Sequence, residues 1–284
     1  MKKINNLKIK NPFFLAPMHK VNDIAFRLLC KKNNCGLTYT WLLNPLSKEK
    51  LFLDDKPALQ IATSNVKGLR EFIKKYEKKV SLFDLNLGCP VLKAKKQRYG
   101  YYLQSDPNMV ERILKVMRSS TKKPISMKIR KGPNALKIIK LADKYCDAIA
   151  IHPRTAEQGY SGKADIKWAL KMKRKCSIAV IYSGNADENN VSSILKNFDF
   201  IMIGRNAVGN PGIFSKLTSS KEFNDFFDYL ELAKKYKLSF SQIKFQALNF
   251  CRGRKNAKKI RAELIGTKDI KEIVSIFRNC AISE

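Results

Sequence analysis

Long apolar runs are missing from this chain. No stretch approaches the roughly 18 consecutive apolar residues that a membrane span needs, so no transmembrane segment is expected. The opening Met1-Lys2-Lys3-Ile4-Asn5-Asn6 carries charge with no apolar stretch behind it, which argues against a secretory signal. Histidine is almost absent: His19 and His152 stand in unrelated contexts, and no metal site is expected. Seven cysteines, odd in number and without a Cys-x-x-Cys pair, read as reduced thiols of a cytoplasmic protein and not as a disulfide framework. Acidic residues are scarce as well. There are 24 Asp and Glu against 56 Lys and Arg, a formal net charge of +32. A field of that sign draws in polyanions. Nucleic acid is the leading partner, a membrane surface the second, and a Lys- and Asn-rich genome the alternative that needs no partner.

What remains is globular. Hydrophobic residues make up 44% of the 284 and charged residues 28%, which excludes a disordered chain. The length suits one large domain with a smaller appendage, or two ordinary domains. Short apolar or β-branched runs recur at 13–16, 37–40, 58–62, 82–87, 125–129, 148–152, 178–182 and 200–204. Amphipathic stretches follow them at 24–32, 68–78, 108–118, 135–145, 166–172 and 188–195, with a second helix sought within 42–51. Alternating strands and helices imply parallel pairing with crossover connections. Eight units close into a barrel, whereas five or six would leave an open sheet. The fold class is therefore α/β, a TIM (β/α)8 barrel. After Leu217 the strand runs stop, and 222–237, 241–251, 256–264 and 268–278 read as helices. We expect a barrel over residues 1–220 and a small all-helical domain over 221–284.

Useful side chains in such a barrel sit just past the C-terminal end of each strand. Those positions hold Pro17 and Met18, Gln60, Asn86 to Pro90, Lys128 and Arg130, His152 and Arg154, Ser183-Gly184-Asn185, and Gly204-Arg205. The last two sets follow strands seven and eight, where barrels commonly hold a phosphate on backbone N–H groups. Cys89 differs from the other six cysteines because Gly88 and Pro90 flank it at a strand end; the competing reading is a small buried thiol. Lys128, at the end of strand five, needs an anion or an electron-rich ring beside it. His152 could donate to the same ring, or serve only as structure.

Five stretches, in order, resemble the tRNA-dihydrouridine synthase family. They are Ala16-Pro17-Met18 with Asp23 and Phe26-Arg27; Asp84-Leu85-Asn86-Leu87-Gly88-Cys89-Pro90; Met127-Lys128-Ile129-Arg130; the run from His152 to Asp165; and Met202-Ile203-Gly204-Arg205 with Gly209-Asn210-Pro211. The Asn-x-Gly-Cys-Pro element and the 152–165 run are the specific ones. The segment 253–264 is similar, more loosely, to the basic helix of the family's C-terminal domain.

The resemblance implies FMN in the barrel mouth, NAD(P)H as reductant and uridine in tRNA as substrate. It also implies that Cys89 protonates C5 of the uracil after hydride reaches C6; an ordinary thiol is mostly protonated at neutral pH and can donate. By position, Pro17, Met18, Gln60, Lys128 and His152 would contact the flavin, and Gly184, Asn185, Gly204 and Arg205 its phosphate. Asn86 would sit near the substrate base, and Arg154 near the flavin phosphate or the RNA. Arg252, Arg254, Lys255 and Lys258 would grip RNA phosphates, with Lys93, Lys95, Lys96 and Arg98 as a second cluster; a solvated charged face is the alternative for each. Three departures stand out. Trp41 replaces a common acidic residue, Arg98 a glycine, and Ser183-Gly184-Asn185 the usual Asn-Gly-Asp. Two other readings compete: a flavin barrel reducing or oxidising a free pyrimidine, in the manner of dihydropyrimidine or dihydroorotate dehydrogenases, and a non-catalytic RNA-binding barrel. No membrane and no protein partner is implied.

Overall fold

Alternation along the strands decides which side chains face the bore. The computed structural model describes residues 2–223, 225–254 and 256–282. An N-terminal hairpin pairs β1 (Lys2–Ile4) with β2 (Leu7–Ile9), and the barrel strands follow. These are β3 (Phe13–Leu15), β4 (Ala58–Ile61), β5 (Leu82–Leu87), β6 (Ile125–Arg130), β7 (Ala148–His152), β8 (Ala179–Tyr182) and β9 (Phe200–Ile203). All pair in parallel in the order β3-β9-β8-β7-β6-β5-β4.

The eighth staff of the barrel lies between β3 and β4. Residues 37–40 bridge Phe14 to Leu37 and Tyr39 to Ala58. Leu15 N donates to Leu37 O at 2.9 Å, and Thr40 N to Ala58 O at 2.9 Å, so the ring of strands is closed. The eight expected strand runs are all in place.

The second helix sought within 42–51 is not. Pro45 pushes Asn44 toward extended backbone, and Leu43 N and Ala62 N exchange bonds with Gln60 O and Leu43 O at 2.9 and 2.8 Å. Leu43 thus pairs with β4, and the chain turns at Pro45-Leu46, where Ser47 N donates to Asn44 O at 2.9 Å, instead of coiling into a helix. The N-terminal hairpin had no strong sequence signal. It sends Ile4 and Ile9 into the same apolar cluster as Phe14, Leu37, Tyr39, Ile181, Phe200 and Met202, and so closes the end of the bore opposite the strand C-termini.

Two apolar layers result. β5 and β6 turn Phe83, Leu85, Leu87, Ile125, Met127 and Ile129 outward against helices, and Asp84, Asn86, Ser126, Lys128 and Arg130 onto the other face. The covering helices of the barrel are α1 (Ile24–Lys32), α2 (Leu69–Tyr76), α3 (Leu92–Gln97), α4 (Pro107–Ser120), α5 (Ala135–Tyr145), α6 (Ile166–Lys173), α7 (Val191–Leu195) and α8 (Ile213–Thr218). In α4, Asp106 caps the N-terminus by accepting from Met109 N at 3.0 Å, and Pro107 takes the first turn, where no N–H is missed. Val110, Ile113, Leu114 and Met117 then share one buried face, each worth about 1.5–3 kcal/mol of burial.

Four further helices, α9 (Phe226–Lys235), α10 (Phe240–Phe250), α11 (Ala257–Gly266) and α12 (Ile270–Ile282), continue the outer apolar layer. α10 carries Gln242 and Gln246 one turn apart. Both donate at 2.7 Å to Asp23 Oδ2, beside the N-terminus of α1. Gln246 Nε2 also reaches Val21 O at 2.7 Å, and Gln242 Nε2 reaches Lys20 O at 2.8 Å. The loop after the first barrel strand is thus pinned from the C-terminal helices.

Candidate active site

Three amide and carboxylate side chains form a directed chain below the Cys89 loop. Asp84, buried on β5, accepts from Ser126 Oγ at 2.5 Å and from Gln60 Nε2 at 2.8 Å. Gln60 Oε1 then accepts from Asn86 Nδ2 at 2.7 Å. That leaves Asn86 Oδ1 to accept from the N–H groups of Gly88 and Cys89, at 3.2 and 3.0 Å. A carboxylate can only accept, so Asp84 orients Gln60, Gln60 orients Asn86, and Asn86 holds the turn that carries the thiol. Burial is the largest influence on Asp84 and pushes its carboxyl up to about 6, against the opposing hydrogen bonds from Ser126 and Gln60 and the nearby Lys128 charge.

Cys89 itself is half-buried, unlike Cys30, Cys35, Cys146 and Cys251. Its carbonyl accepts from Tyr101 N at 3.0 Å. Gly100, at φ +63°, lies so close that a Cβ there would meet Cys89 O at 2.7 Å. Glycine is needed at that position for both reasons.

Cations crowd the neighbouring strand ends. Lys128 stands beside Asn86 in register, and Arg130 beside His152. The Lys128 ammonium has no hydrogen-bond partner among the described residues, and burial lowers it to about 8, aided by Arg130. Arg130 and Arg154 are each 1% exposed, yet neither meets a carboxylate. Arg130 donates to the carbonyls of Gly88, Thr155 and Gly159 at 3.2, 2.9 and 2.6 Å, tying the Cys89 turn to the loop after β7. Arg154 donates to Ser161 O and Gly162 O at 3.2 and 2.9 Å and to Asn185 Oδ1. Its NH1 also lies 3.3 Å from His152 Nε2. An arginine only donates, so Nε2 accepts and Nδ1 carries the hydrogen. Burial first, then the charges of Lys128, Arg130, Arg154 and Arg205, hold that imidazole far below its usual range; it is neutral at pH 7. The guanidinium groups of Arg130 and Arg205 lie on the Tyr160 ring at 5.6 and 5.4 Å.

Four cationic side chains around one neutral histidine, two of them buried without a carboxylate, call for an anion. Backbone on the same side is open to it. Gly184 passes so near Tyr182 that a Cβ would meet the phenol oxygen at 2.3 Å, and Gly204 leads into the turn 205–207. Across the mouth, Asn22 Nδ2 bridges Ala16 O and Tyr39 O, both at 2.8 Å, and so shapes the turn bearing half-buried Pro17 and Met18. A planar anionic ring with a phosphate tail fits this donor set.

The family model described as Dihydrouridine synthase (Dus) matches residues 14–276. The chain belongs to that family. It is 31% identical over 236 residues to tRNA-dihydrouridine synthase B of Vibrio vulnificus (strain CMCP6), covering 76% of this chain and 73% of that one. To the Escherichia coli (strain K12) tRNA-dihydrouridine synthase B it is 28% identical over 263 residues, covering 85% and 82%. Among solved structures, morphinone reductase in complex with tetrahydroNAD superposes with a TM-score of 0.56 at 9% identity, covering 80% of this chain and 92% of that one; it shares the fold.

Placed in this synthase framework, the departures have local causes. Arg98 is the C-cap of α3 at φ +52°, a left-handed position where glycine has no steric cost. Trp41 is half-buried and lines a cavity of about 240 Å³ with His19, Asp23, Phe52, Leu238 and Gln242, against the C-terminal helices. Asn185 brings Arg154 an amide oxygen where an acidic residue would bring a charge.

The basic cluster divides. Arg252 and Lys258 are exposed, Arg254 is half-buried over the Phe277 ring at 5.5 Å, and Lys255 lies outside the described residues. Sequence reasoning left out Asp84 as the anchor of the chain of amides, and Arg130 as the clamp on the Cys89 turn. The signal for both was present: they stand two positions from Asn86 and Lys128, on the same strand face.

Proposed function

We propose that this protein reduces specific uridines of tRNA to 5,6-dihydrouridine, with FMN as resident cofactor and NAD(P)H as reductant, in the cytoplasm. The observation that carries the reading is Cys89: a half-buried thiol, held at a strand end by Asn86, next to two buried arginines that make no salt bridge among the described residues. Bound FMN, once reduced, supplies the hydride for C6 of the uracil.

The chain's own residues would do the rest. Pro17 and Met18 would wall the flavin ring, and Gln60, Lys128 and His152 would face its polar edge. A cationic Lys128 there favours negative charge on the ring, which is how a protein tunes a cofactor. Neutral His152 can donate from Nδ1 without adding charge. Gly184, Asn185, Gly204 and Arg205 would hold the phosphate, with Arg154 beside them. Asn86 would meet the uracil, and Cys89 Sγ would deliver its proton to C5, to be reprotonated from solvent. A uridine must leave its stack to reach that thiol, at a cost of a few kcal/mol. Phosphate contacts at Arg252, Arg254, Lys255 and Lys258, in a C-terminal RNA-binding unit over 221–284, would offset part of it. Among the described residues no helix is long and apolar enough to cross a membrane.

The test uses the full chain. It should purify yellow and release one FMN per chain on denaturation. With NADPH it should add two hydrogens to a uridine of an unmodified tRNA transcript, read by nucleoside mass spectrometry. A colourless protein that ignores added FMN, or a reducible one that leaves tRNA unchanged, would sink the reading.

A further inference from the structure

A groove of about 890 Å³ runs outside the Cys89 loop, between the loops that follow β4, β5 and β6. Its inner wall is Gln104, 4% exposed, whose Nε2 donates to Leu87 O at 2.7 Å at the end of β5. The Oε1 of the same side chain is buried and has no hydrogen-bond donor. An acceptor in that state is costly. Tyr101 and Tyr102 stand along the groove edge to face, 5.5 Å apart at 82°. The Tyr101 ring rests against Gly132, where a Cβ would come within 3.1 Å. Lys95, Lys96 and Arg98 form the rim; all three are exposed, and none is in an ion pair among the described residues. The one carboxylate in the lining, Asp106, is engaged as the cap of α4.

We propose that this groove binds a nucleotide of the RNA directly adjoining the reacting uridine, its base against the tyrosine rings and its phosphate on the lysine and arginine rim. The assignment rests on the function proposed above and goes beyond it. Aromatic faces and unpaired cations together match a base and a phosphate, and base stacking on tyrosine works for any base. The groove is also built into the segment that carries the thiol. Tyr101 N donates to Cys89 O at 3.0 Å, and Tyr102 Oη donates to Pro90 O at 3.1 Å. An RNA strand with one base extruded toward Cys89 has its next nucleotide beside this segment, within reach of the tyrosine rings and the cationic rim.

Two variants test it in the FMN-loaded protein, with unmodified tRNA transcript and NADPH as separate probes. Lys95→Ala combined with Lys96→Ala should raise KM for tRNA about tenfold at physiological salt and flatten its salt dependence by up to two phosphate contacts. The rate of flavin reduction by NADPH, followed without RNA, should keep its wild-type concentration dependence. Tyr101→Leu should raise KM for tRNA by a similar factor. It should also lose the discrimination that the wild type shows against a transcript made abasic at the nucleotide on one side of the target. Unchanged KM in both variants overturns the proposal. So does weaker NADPH binding with unchanged KM for tRNA, which would give the groove to the dinucleotide. Equal loss from the abasic transcripts in wild type and Tyr101→Leu overturns it too. Failure of the wider functional reading is separate, since there the wild type makes no dihydrouridine.

Discussion

The two halves of the barrel bore are built from opposite materials. Along the third to sixth strands the inward face carries Gln60, Asp84, Asn86, Ser126, Lys128, Arg130 and His152, with only Ala58, Leu82, Ala148 and Ala150 as apolar residues toward its N-terminal end. Along the seventh, eighth, first and second it carries Ile181, Phe200, Met202, Phe14, Ala16, Leu37 and Tyr39. The apolar half closes on itself and on the hairpin isoleucines, as a core does. The polar half could be apolar and pack better, so its polarity is a cost that folding alone does not explain. The comparison separates stability from chemistry by side of one cylinder. Cys89→Ala should break it most sharply if it is wrong. Turnover, read as oxidation of pre-reduced flavin by tRNA, should fall by about 10²–10⁴ while folding and flavin content persist. A wild-type rate would move the proton donor elsewhere.

On the other side the loss should appear in stability. Phe200 is 1% exposed and stacks on Phe14 at 4.9 Å. Phe200→Ala should cost about 3–5 kcal/mol in urea unfolding, with turnover per folded molecule close to wild type. A large fall in turnover at full folding would mean that the apolar half also shapes the reaction.

Asp84 joins the two behaviours. Burial pushes its folded carboxyl up to about 6, above the ordinary carboxyl value of about 3.9. Its contribution to stability is therefore complete below the lower value and lost as pH rises through the upper one, roughly 3 kcal/mol across that window. Asp84→Asn should remove this slope between pH 4 and 6. It should also lower kcat by about tenfold or more, because an amide nitrogen cannot accept from Gln60 and the orientation of Asn86 is lost. A variant that keeps both the slope and the rate would show that the directed chain does not position the thiol.

Much of this division was legible in the chain. The alternation Ile-Ser-Met-Lys-Ile-Arg already places Lys128 and Arg130 on one face and apolar residues on the other, because the strand period is two. The Gly-Cys-Pro element marks a strand end, and its likeness to a known family named the chemistry. Other features depend on tertiary pairing. Residues 37–40 join the barrel through isolated bridges, and 42–51 does not form a helix because Leu43 pairs with β4 and a turn follows at Pro45. That Asn86 turns its amide oxygen onto the Cys89 loop depends on a bond to Gln60, 26 positions away, that no local pattern encodes. The groove beside Cys89 draws on three separate loops and leaves no periodic trace.

The smallest expected effect is the most discriminating. Lys128 is half-buried, has no hydrogen-bond partner among the described residues, and is lowered to about 8 chiefly by burial. A base so depressed in the fold weakens the folded state below that pH and stops doing so only as pH rises toward its ordinary value of about 10.4. Replacing it with an uncharged side chain of similar length should therefore stabilise the protein near pH 7. After discounting for solvent at its partly open tip, the gain for Lys128→Met is about 1 kcal/mol in urea unfolding. Reduction of tRNA should slow in the same variant, and the potential of the bound flavin should fall, because the cation facing the ring is gone. More stable and less active is the signature of a residue kept for chemistry. If Lys128→Met were instead less stable with its flavin potential unmoved, the polar half of the bore would be a second core.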